Sequence, residues 1–361
     1  MTRRVAVIHD WLTGMRGGEA VLEAILDALP EAELFTLFHF KGSMSAKIES
    51  RTIHTSSLQK LAMRVSDYRH LLPLYPRAAR EFDLRGFDLI VSSSHCVAKG
   101  VDARGKPHLS YCHTPMRYIW DRFDDYFPRS KPLRRAAMVS LVPWLRRWDV
   151  KTAAEVTTFA ANSSFVRDRI RRYYDRDAAI IHPFVDDAFF APPLETTRGD
   201  YHIVVSALVP YKRIELAVAA AVASGRKLVV IGGGPLLDEL KTRGGHNVEI
   251  AGSVSREAII ERVARAQSLI LPGVEDFGIT PLEAMALGTA VVAFGEGGVL
   301  DSVQPGRTGI FFSQPSVDSL RRALDDVESH PWDRAAIRAH AATFSRASFD
   351  SAFGAFLRAN S

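Results

Sequence analysis

From Pro272 to Gly288 the chain reads Pro-Gly-Val-Glu-Asp-Phe-Gly-Ile-Thr-Pro-Leu-Glu-Ala-Met-Ala-Leu-Gly, with carboxylates at Glu275 and Glu283. The segment follows a buried apolar run, Ser268 to Leu271, and leads into a helix. Thr280 is expected as the N-cap and Pro281 at the first helical position, with Glu283 completing a T-x-x-E capping box. The unpaired N–H groups of that first turn make an anion site. Glu275, in the preceding loop, and Glu283, one turn inside the helix, can then point into one cleft. Taken alone, Glu283 reads as a helix cap and Glu275 as a solvated loop carboxylate. Pro272-Gly273 before them and Phe277-Gly278 between them set the pair apart.

Three other places carry chemistry. Lys212, in Leu208-Val-Pro-Tyr-Lys-Arg213, follows a strand and precedes a helix, which puts it at a cleft mouth or on the surface. His113 ends a strand in Tyr111-Cys-His-Thr-Pro115, where an imidazole serves either as a hydrogen-bonded core group or as a ligand contact. Gly17 and Gly18, with Gly14, form a loop after the first strand, able to turn the chain or to let backbone approach a phosphate. No metal is expected: Asp175-Arg-Asp177 reads as a solvated turn, and no His/Cys cluster has zinc spacing. A G-x-S-x-G elbow is absent, as is a G-x-G-x-x-G after the first strand, which weighs against hydrolase and dinucleotide oxidoreductase readings.

Short β-branched runs that alternate with helical stretches must position these groups. Val5–Ile8, Leu34–Phe38, Leu89–Ser92, Leu109–Cys112 and Thr157–Ala161 read as strands, with a helix from about Glu19 to Leu29. A second series follows at Ile203–Ala207, Leu228–Ile231, Val248–Ala251, Ser268–Leu271 and Ala290–Ala293. Beyond Ser316 the pattern is helical. The reading is α/β: two facing Rossmann-like, doubly wound domains over residues 1–185 and 200–345. The join is the Pro-rich stretch Pro183 to Gly199, and a C-terminal helix (346–361) crosses back to the first domain. Ligand is expected in the cleft at the C-terminal strand ends.

Composition agrees with a soluble globular protein of two domains: 361 residues, 47% hydrophobic and 24% charged. The formal charge of +5 suits an anionic ligand or anionic membrane face, and the two cysteines suit a reducing compartment. The short apolar run after Met1-Thr-Arg-Arg does not read as a secretory signal, and a cytoplasmic location is expected.

The glutamate-pair segment resembles that of retaining glycosyltransferases of family 4, which have the GT-B fold. HDWLTGMRGGEAVLEAI, YCHTPMRYIWD, ANSSFVRDRIRRYY, LVPYKRIELAV and IGGGP extend the resemblance along the chain, toward bacterial mannosyltransferases that build surface polysaccharides. The resemblance implies a metal-independent, retaining hexosyltransferase with a nucleotide-sugar donor, GDP-mannose, and no further cofactor. By the same resemblance Glu275 holds the donor sugar, Glu283 the ribose, Lys212 the diphosphate, and His113 contacts the sugar. The N–H groups of Phe277, Gly278 and Ile279 face sugar hydroxyls and phosphate oxygens, and Gly252 and Val254 form the nucleobase turn. One departure stands out: Ala207 occupies the position where such enzymes carry an arginine, and Arg213 is the natural substitute.

Two stretches of the first half, Leu58–Arg80 and Arg129–Lys151, mix cations with large apolar residues. They read either as amphipathic cover for the core or as docking elements for an anionic membrane, as a transferase acting on a prenyl-linked glycan would need. The rivals are a UDP-sugar transferase or nucleotide-sugar epimerase of the same fold, and a noncatalytic glycan- or membrane-binding scaffold. Nucleic-acid binding is the weakest, with a slight charge excess and no recognition motif.

Overall fold

A computed structural model describes residues 3–65 and 67–360. Residues up to His182, with those from Phe349 onward, form one compact unit, and Pro183–Ser348 form the other. Each is built on a parallel sheet.

In the first unit the strands are β1 (Val5–His9), β2 (Glu33–Thr36), β3 (Ile53–Thr55), β4 (Leu89–Ser94), β5 (His108–Cys112), β6 (Thr158–Ala161) and β7 (Ala178–Ile180). Their order is β3-β2-β1-β4-β5-β6-β7, parallel throughout. β1, β4 and β5 are buried along their whole length, as a sheet covered on both faces requires. The order reverses between β1 and β4, so the connections leave their C-terminal ends in opposite directions and open a crevice there. The last helix, Arg346–Asn360, seals this unit: Phe349 packs on Tyr111, and Thr158 donates to the Asn360 side chain at 2.9 Å.

The second unit holds β8 (Tyr201–Val205), β9 (Lys227–Ile231), β10 (Val248–Gly252), β11 (Ser268–Leu271), β12 (Ala290–Phe294) and β13 (Gly309–Phe312), in the order β10-β9-β8-β11-β12-β13. Its switch point lies between β8 and β11. The Pro-rich stretch expected as a linker is fastened to this unit. Arg338 donates to the carbonyls of Phe190 and Pro192, Arg334 to Thr196, and Arg198 to Gly288. Val185 N–H pairs with the Phe344 carbonyl at 3.0 Å.

Several boundaries differ from the sequence expectation. Gly17 and Gly18 are the first residues of the helix Gly17–Ala28 and not loop; of that trio only Gly14, at φ +154°, lies in the loop. β8 ends at Val205, so Ala207 is an exposed loop residue rather than a strand end. β2 ends at Thr36, before the expected Phe38.

Candidate functional site

In the second unit Lys212 follows β8 in the short turn Pro210–Lys212, and Glu275 follows β11, so the switch point brings them together. The Lys212 ammonium donates directly to the Glu275 carboxylate. Both side chains are mostly but not fully covered, at 15% and 20% exposure, so each keeps a solvent-facing side for a ligand.

Glycines make this closeness possible. A Cβ on Gly273 would stand 2.8 Å from the Lys212 Cα, and one on Gly297 would stand 2.5 Å from the Glu275 carbonyl oxygen. The Glu275 loop is thus pinned between the β8 turn and the Gly297-Gly298 segment, whose Gly298 N–H donates to the Glu275 carbonyl at 2.8 Å. Phe277 is buried against Phe344, which fixes the loop from below.

The following helix starts earlier than the sequence suggested. It spans Ile279–Ala286, with Gly278 as N-cap at φ +91° and no side-chain cap. The expected capping box, with Thr280 as N-cap, does not form. Gly278 adopts a left-handed conformation at no steric cost, so the helix begins two residues sooner. Pro281 is tolerated because first-turn N–H groups lack intrahelical partners anyway. The Glu283 side chain is consequently released from capping, and its carboxyl accepts no hydrogen bond among the described residues. Burial pushes its carboxyl up to about 7; Arg256 opposes this and Asp186 adds to it. Sequence reasoning missed Arg256 and Asp186, which pair with each other at 2.6 Å beside this carboxyl.

Gly252 ends β10 at φ +68°, with open space where a Cβ would stand, so its conformation, not crowding, calls for glycine. Val254 is half-buried just before the helix that Ser255 caps. Arg213, the proposed substitute cation, is also left-handed, at φ +53°. Its guanidinium lies over the Phe294 ring at 5.3 Å, and one buried amino group has no hydrogen-bond partner. It is turned toward the end of β12 and makes no ion pair with Glu275 among the described residues.

The first unit gathers a second cluster at its own switch point. His113 follows β5, and its Nε2 lies 2.8 Å from the Ser93 hydroxyl, which also lies 3.1 Å from His9 Nδ1. One hydroxyl can donate only once, so one ring accepts from Ser93 and the other donates to it. His9 Nε2 faces Glu19 at 3.9 Å and has no hydrogen-bond partner. The arrangement that points an N–H at this carboxylate runs His113 Nε2–H to Ser93, Ser93 O–H to His9 Nδ1, and His9 Nε2–H toward Glu19. It leaves His113 Nδ1 as an acceptor. Burial, with His9 and His95 nearby, pulls the His113 imidazole down to about 3, so it is neutral at physiological pH. The ring edge faces Gly18, where a Cβ would sit 3.8 Å away. Gly17 and Gly18 thus bring a helix start, rather than a free loop, to this histidine.

Asp10, buried just past β1, accepts from four consecutive backbone N–H groups, those of His95, Cys96, Val97 and Ala98, at 2.6–2.9 Å. The carboxylate therefore ties the two strand ends that form the switch point. His95 Nδ1 also approaches it at 3.1 Å. Sequence reasoning found His113 but not His9, Ser93, His95 or Glu19. Their only signal is position, at strand ends for His9, Ser93 and His95 and in the first turn of the helix Gly17–Ala28 for Glu19, which requires the strand order to be known. Asp175, by contrast, is a left-handed helix end and Asp177 pairs with Arg171, in keeping with a solvated turn.

Two family models match the chain: Glycosyltransferase Family 4 over residues 15–189 and Glycosyl transferases group 1 over 185–344. A GDP-mannose-dependent alpha-(1-6)-phosphatidylinositol monomannoside mannosyltransferase of Mycolicibacterium smegmatis is 30% identical over 51% of this chain and 56% of its own length. A glycogen synthase of Xanthomonas campestris is 33% identical over 37% of this chain and 30% of its own. The matched segments thus span little more than half of the first relative and under a third of the second. Among solved structures, sucrose-phosphate synthase from Thermosynechococcus elongatus aligns with a TM-score of 0.73 at 17% identity, covering 99% of this chain and 98% of its own. Anabaena Alr3699/HepE in complex with UDP gives 0.70 at 15%, covering 99% and 100%. The two parallel sheets give the chain the GT-B fold, and a glycosyltransferase family model matches each of its halves.

Proposed function

We propose that the chain transfers mannose from GDP-mannose, with retention and without a metal, to a hydroxyl of a glycan or lipid-linked glycan acceptor. The observation that carries the reading is the Lys212–Glu275 pair at the β8/β11 switch point, within a unit matched by a glycosyltransferase model. An ammonium has three donors, so Lys212 can keep Glu275 and still meet diphosphate oxygens. At about 4 Å and intermediate dielectric, such a charge pair is worth roughly 4 kcal/mol before desolvation, enough to assist departure of a diphosphate. Glu275 can accept from two neighbouring sugar hydroxyls in charge-assisted geometry. The bond from sugar to diphosphate breaks first in this scheme. The acceptor hydroxyl then captures the oxocarbenium-like centre from the same face and passes its proton to the departing diphosphate oxygen, so the protein contributes positioning and preorganised charge.

The relative named as GDP-mannose-dependent supports that donor, whereas HepE, solved with UDP, favours a UDP-sugar as the second reading. A thermal-shift panel of GDP, UDP, GDP-mannose and UDP-glucose separates them, followed by turnover of the stabilising donor with a prenyl-linked acceptor. GDP and GDP-mannose should shift the melt and UDP compounds should not, with GDP-mannose turning over undiminished in excess chelator. Selective stabilisation by UDP compounds would overturn the donor assignment, and loss of activity in EDTA restored by magnesium would overturn metal independence. Nucleotide binding without turnover would favour a noncatalytic scaffold.

A further inference from the structure

The first turn of the helix Gly17–Ala28 brings two consecutive residues to the histidines of the first unit, Gly18 to the His113 ring and Glu19 to His9. The sheet supplies the rest of the cluster. His9 and Ser93 are direct partners across β1 and β4, and Ser93 partners Tyr111 of β5, two residues before His113. Partners across adjacent strands point to the same face. This register puts the Ser93 hydroxyl between the two rings, at 3.1 Å from His9 Nδ1 and 2.8 Å from His113 Nε2.

Glu19, His9, Ser93 and His113 thus form one relay, and its direction is set at the Glu19 end. Burial alone would raise the Glu19 carboxyl, but His9 and His95 hold it below its ordinary value. It is therefore an anion at neutral pH and can only accept. His9 Nε2 is buried, faces that anion at 3.9 Å and has no hydrogen-bond partner. A nitrogen lone pair there would be repelled by the carboxylate, whereas an N–H is attracted. With its proton on Nε2, a neutral His9 accepts the Ser93 O–H at Nδ1, and the Ser93 oxygen accepts from His113 Nε2–H. The single proton of the neutral His113 ring is then committed inward. Its Nδ1 makes no hydrogen bond among the described residues and belongs to a residue that is only partly buried.

We propose that Glu19, acting through His9 and Ser93, is a positioning residue that makes His113 Nδ1 an obligate hydrogen-bond acceptor. The site then takes a substrate hydroxyl as donor and refuses a group that can only accept. The inference rests on the reading that His113 meets the donor sugar, and it assigns what that reading leaves open. A sugar hydroxyl can donate or accept, and only the proton on the far side of the ring decides which. Fluorine in place of that hydroxyl has no proton to give, so it would leave the ring nitrogen unpaired, which is how a hydrogen-bonding site discriminates.

Two measurements test the assignment. In the free full-length chain carrying isotope-labelled histidine, two-bond proton–nitrogen correlation spectra report which ring nitrogen is protonated. His113→Asn identifies the His113 signals among the 12 histidines. Wild-type His113 should be protonated at Nε2 alone. Glu19→Gln conserves size but offers an amide N–H as well as a carbonyl, so the relay can run either way. A population of His113 protonated at Nδ1 should then appear. Ser93→Ala cuts the link, and in that background Glu19→Gln should no longer move the His113 signals. A residue that merely held the helix in place would show no such dependence on Ser93. The second measurement is calorimetric titration with GDP-mannose and its monodeoxyfluoro analogues, one sugar hydroxyl replaced in each. At one position the wild type should bind the analogue about tenfold or more weakly than GDP-mannose, and Glu19→Gln should shrink that penalty to about threefold or less. Any of three results would overturn the proposal: wild-type His113 protonated at Nδ1, a tautomer indifferent to Glu19→Gln, or the same fluorine penalties in both proteins. The tautomer is read without nucleotide, so a failure of the relay is distinguishable from a failure of the transferase reading.

Discussion

Glu283 offers the sharpest test, because its substitution should strengthen the fold while weakening the site. Its carboxyl accepts no hydrogen bond in the described structure, and burial raises it to about 7 from an ordinary value near 4.5. In the unfolded chain it ionises at the ordinary value. Between these two values the unfolded state releases the proton while the folded state holds it, so stability falls as pH rises through that window and is flat above it. The difference amounts to at most about 3 kcal/mol. Glu283→Gln keeps the shape and removes the charge, so it should be more stable than wild type at pH 8 and indistinguishable near pH 4.5. For a unit of this size 3 kcal/mol corresponds to roughly 6–12 °C in Tm. Melting curves of both proteins from pH 4.5 to 9, without nucleotide, measure the gap directly. Nucleotide titration at pH 8 should then show weaker binding by Glu283→Gln, which lacks the anionic acceptor. If the two melting curves track each other across the range, the carboxyl carries no burial penalty and this account of Glu283 is wrong. A less stable glutamine variant would make the residue structural.

Glu275→Ala should lose on the order of 100-fold or more in turnover. Its Tm should change little, since a partly exposed ion pair contributes about 0–1 kcal/mol; full activity in this variant would remove Glu275 from the site. Lys99→Met strands the buried Asp149 carboxylate without its ammonium and should cost about 3–5 kcal/mol in urea unfolding, with a cost under 1 kcal/mol contradicting the buried-pair reading. Ala207→Arg should tighten GDP binding about tenfold or more, since a hydrogen bond to a charged group contributes about 1.5–3 kcal/mol. Ala207 is exposed, so the new guanidinium need not be buried. No gain in a folded Ala207→Arg protein would mean that this loop does not face the diphosphate.

The parallel strands that carry the sites were legible because they are buried on both faces and read as continuous β-branched runs. The strands that sequence reading missed, β3, β7 and β13, are edge strands of three or four residues, mostly only partly buried. Such strands need neither a long apolar run nor alternation, so their sequence carries little periodic signal. The cation-bearing stretch at 129–151 was legible as composition. Which of its cations serve the core and which face outward depends on partners such as Asp124 and the Ile119 carbonyl, outside the helix itself.

The sites divide along the same line. Glu275 and Lys212 could be found because loop-adjacent glycines and a strand–turn–helix pattern surround each of them in sequence. The histidine cluster could not, because its members come from three strands and meet only once β1 lies beside β4 and β4 beside β5. Asp10 looks like an ordinary acidic residue after a strand until the amides of 95–98 are wrapped around it. The helix start at Gly278 shows the reverse case, in which a strong local signal misleads. Thr280, Pro281 and Glu283 satisfy a capping box on paper, but a left-handed glycine two residues earlier lets the helix begin first. Once the backbone no longer needs it, Glu283 is a half-buried carboxyl without a hydrogen bond, a state that costs folding free energy and that the proposed nucleotide would relieve by supplying donors.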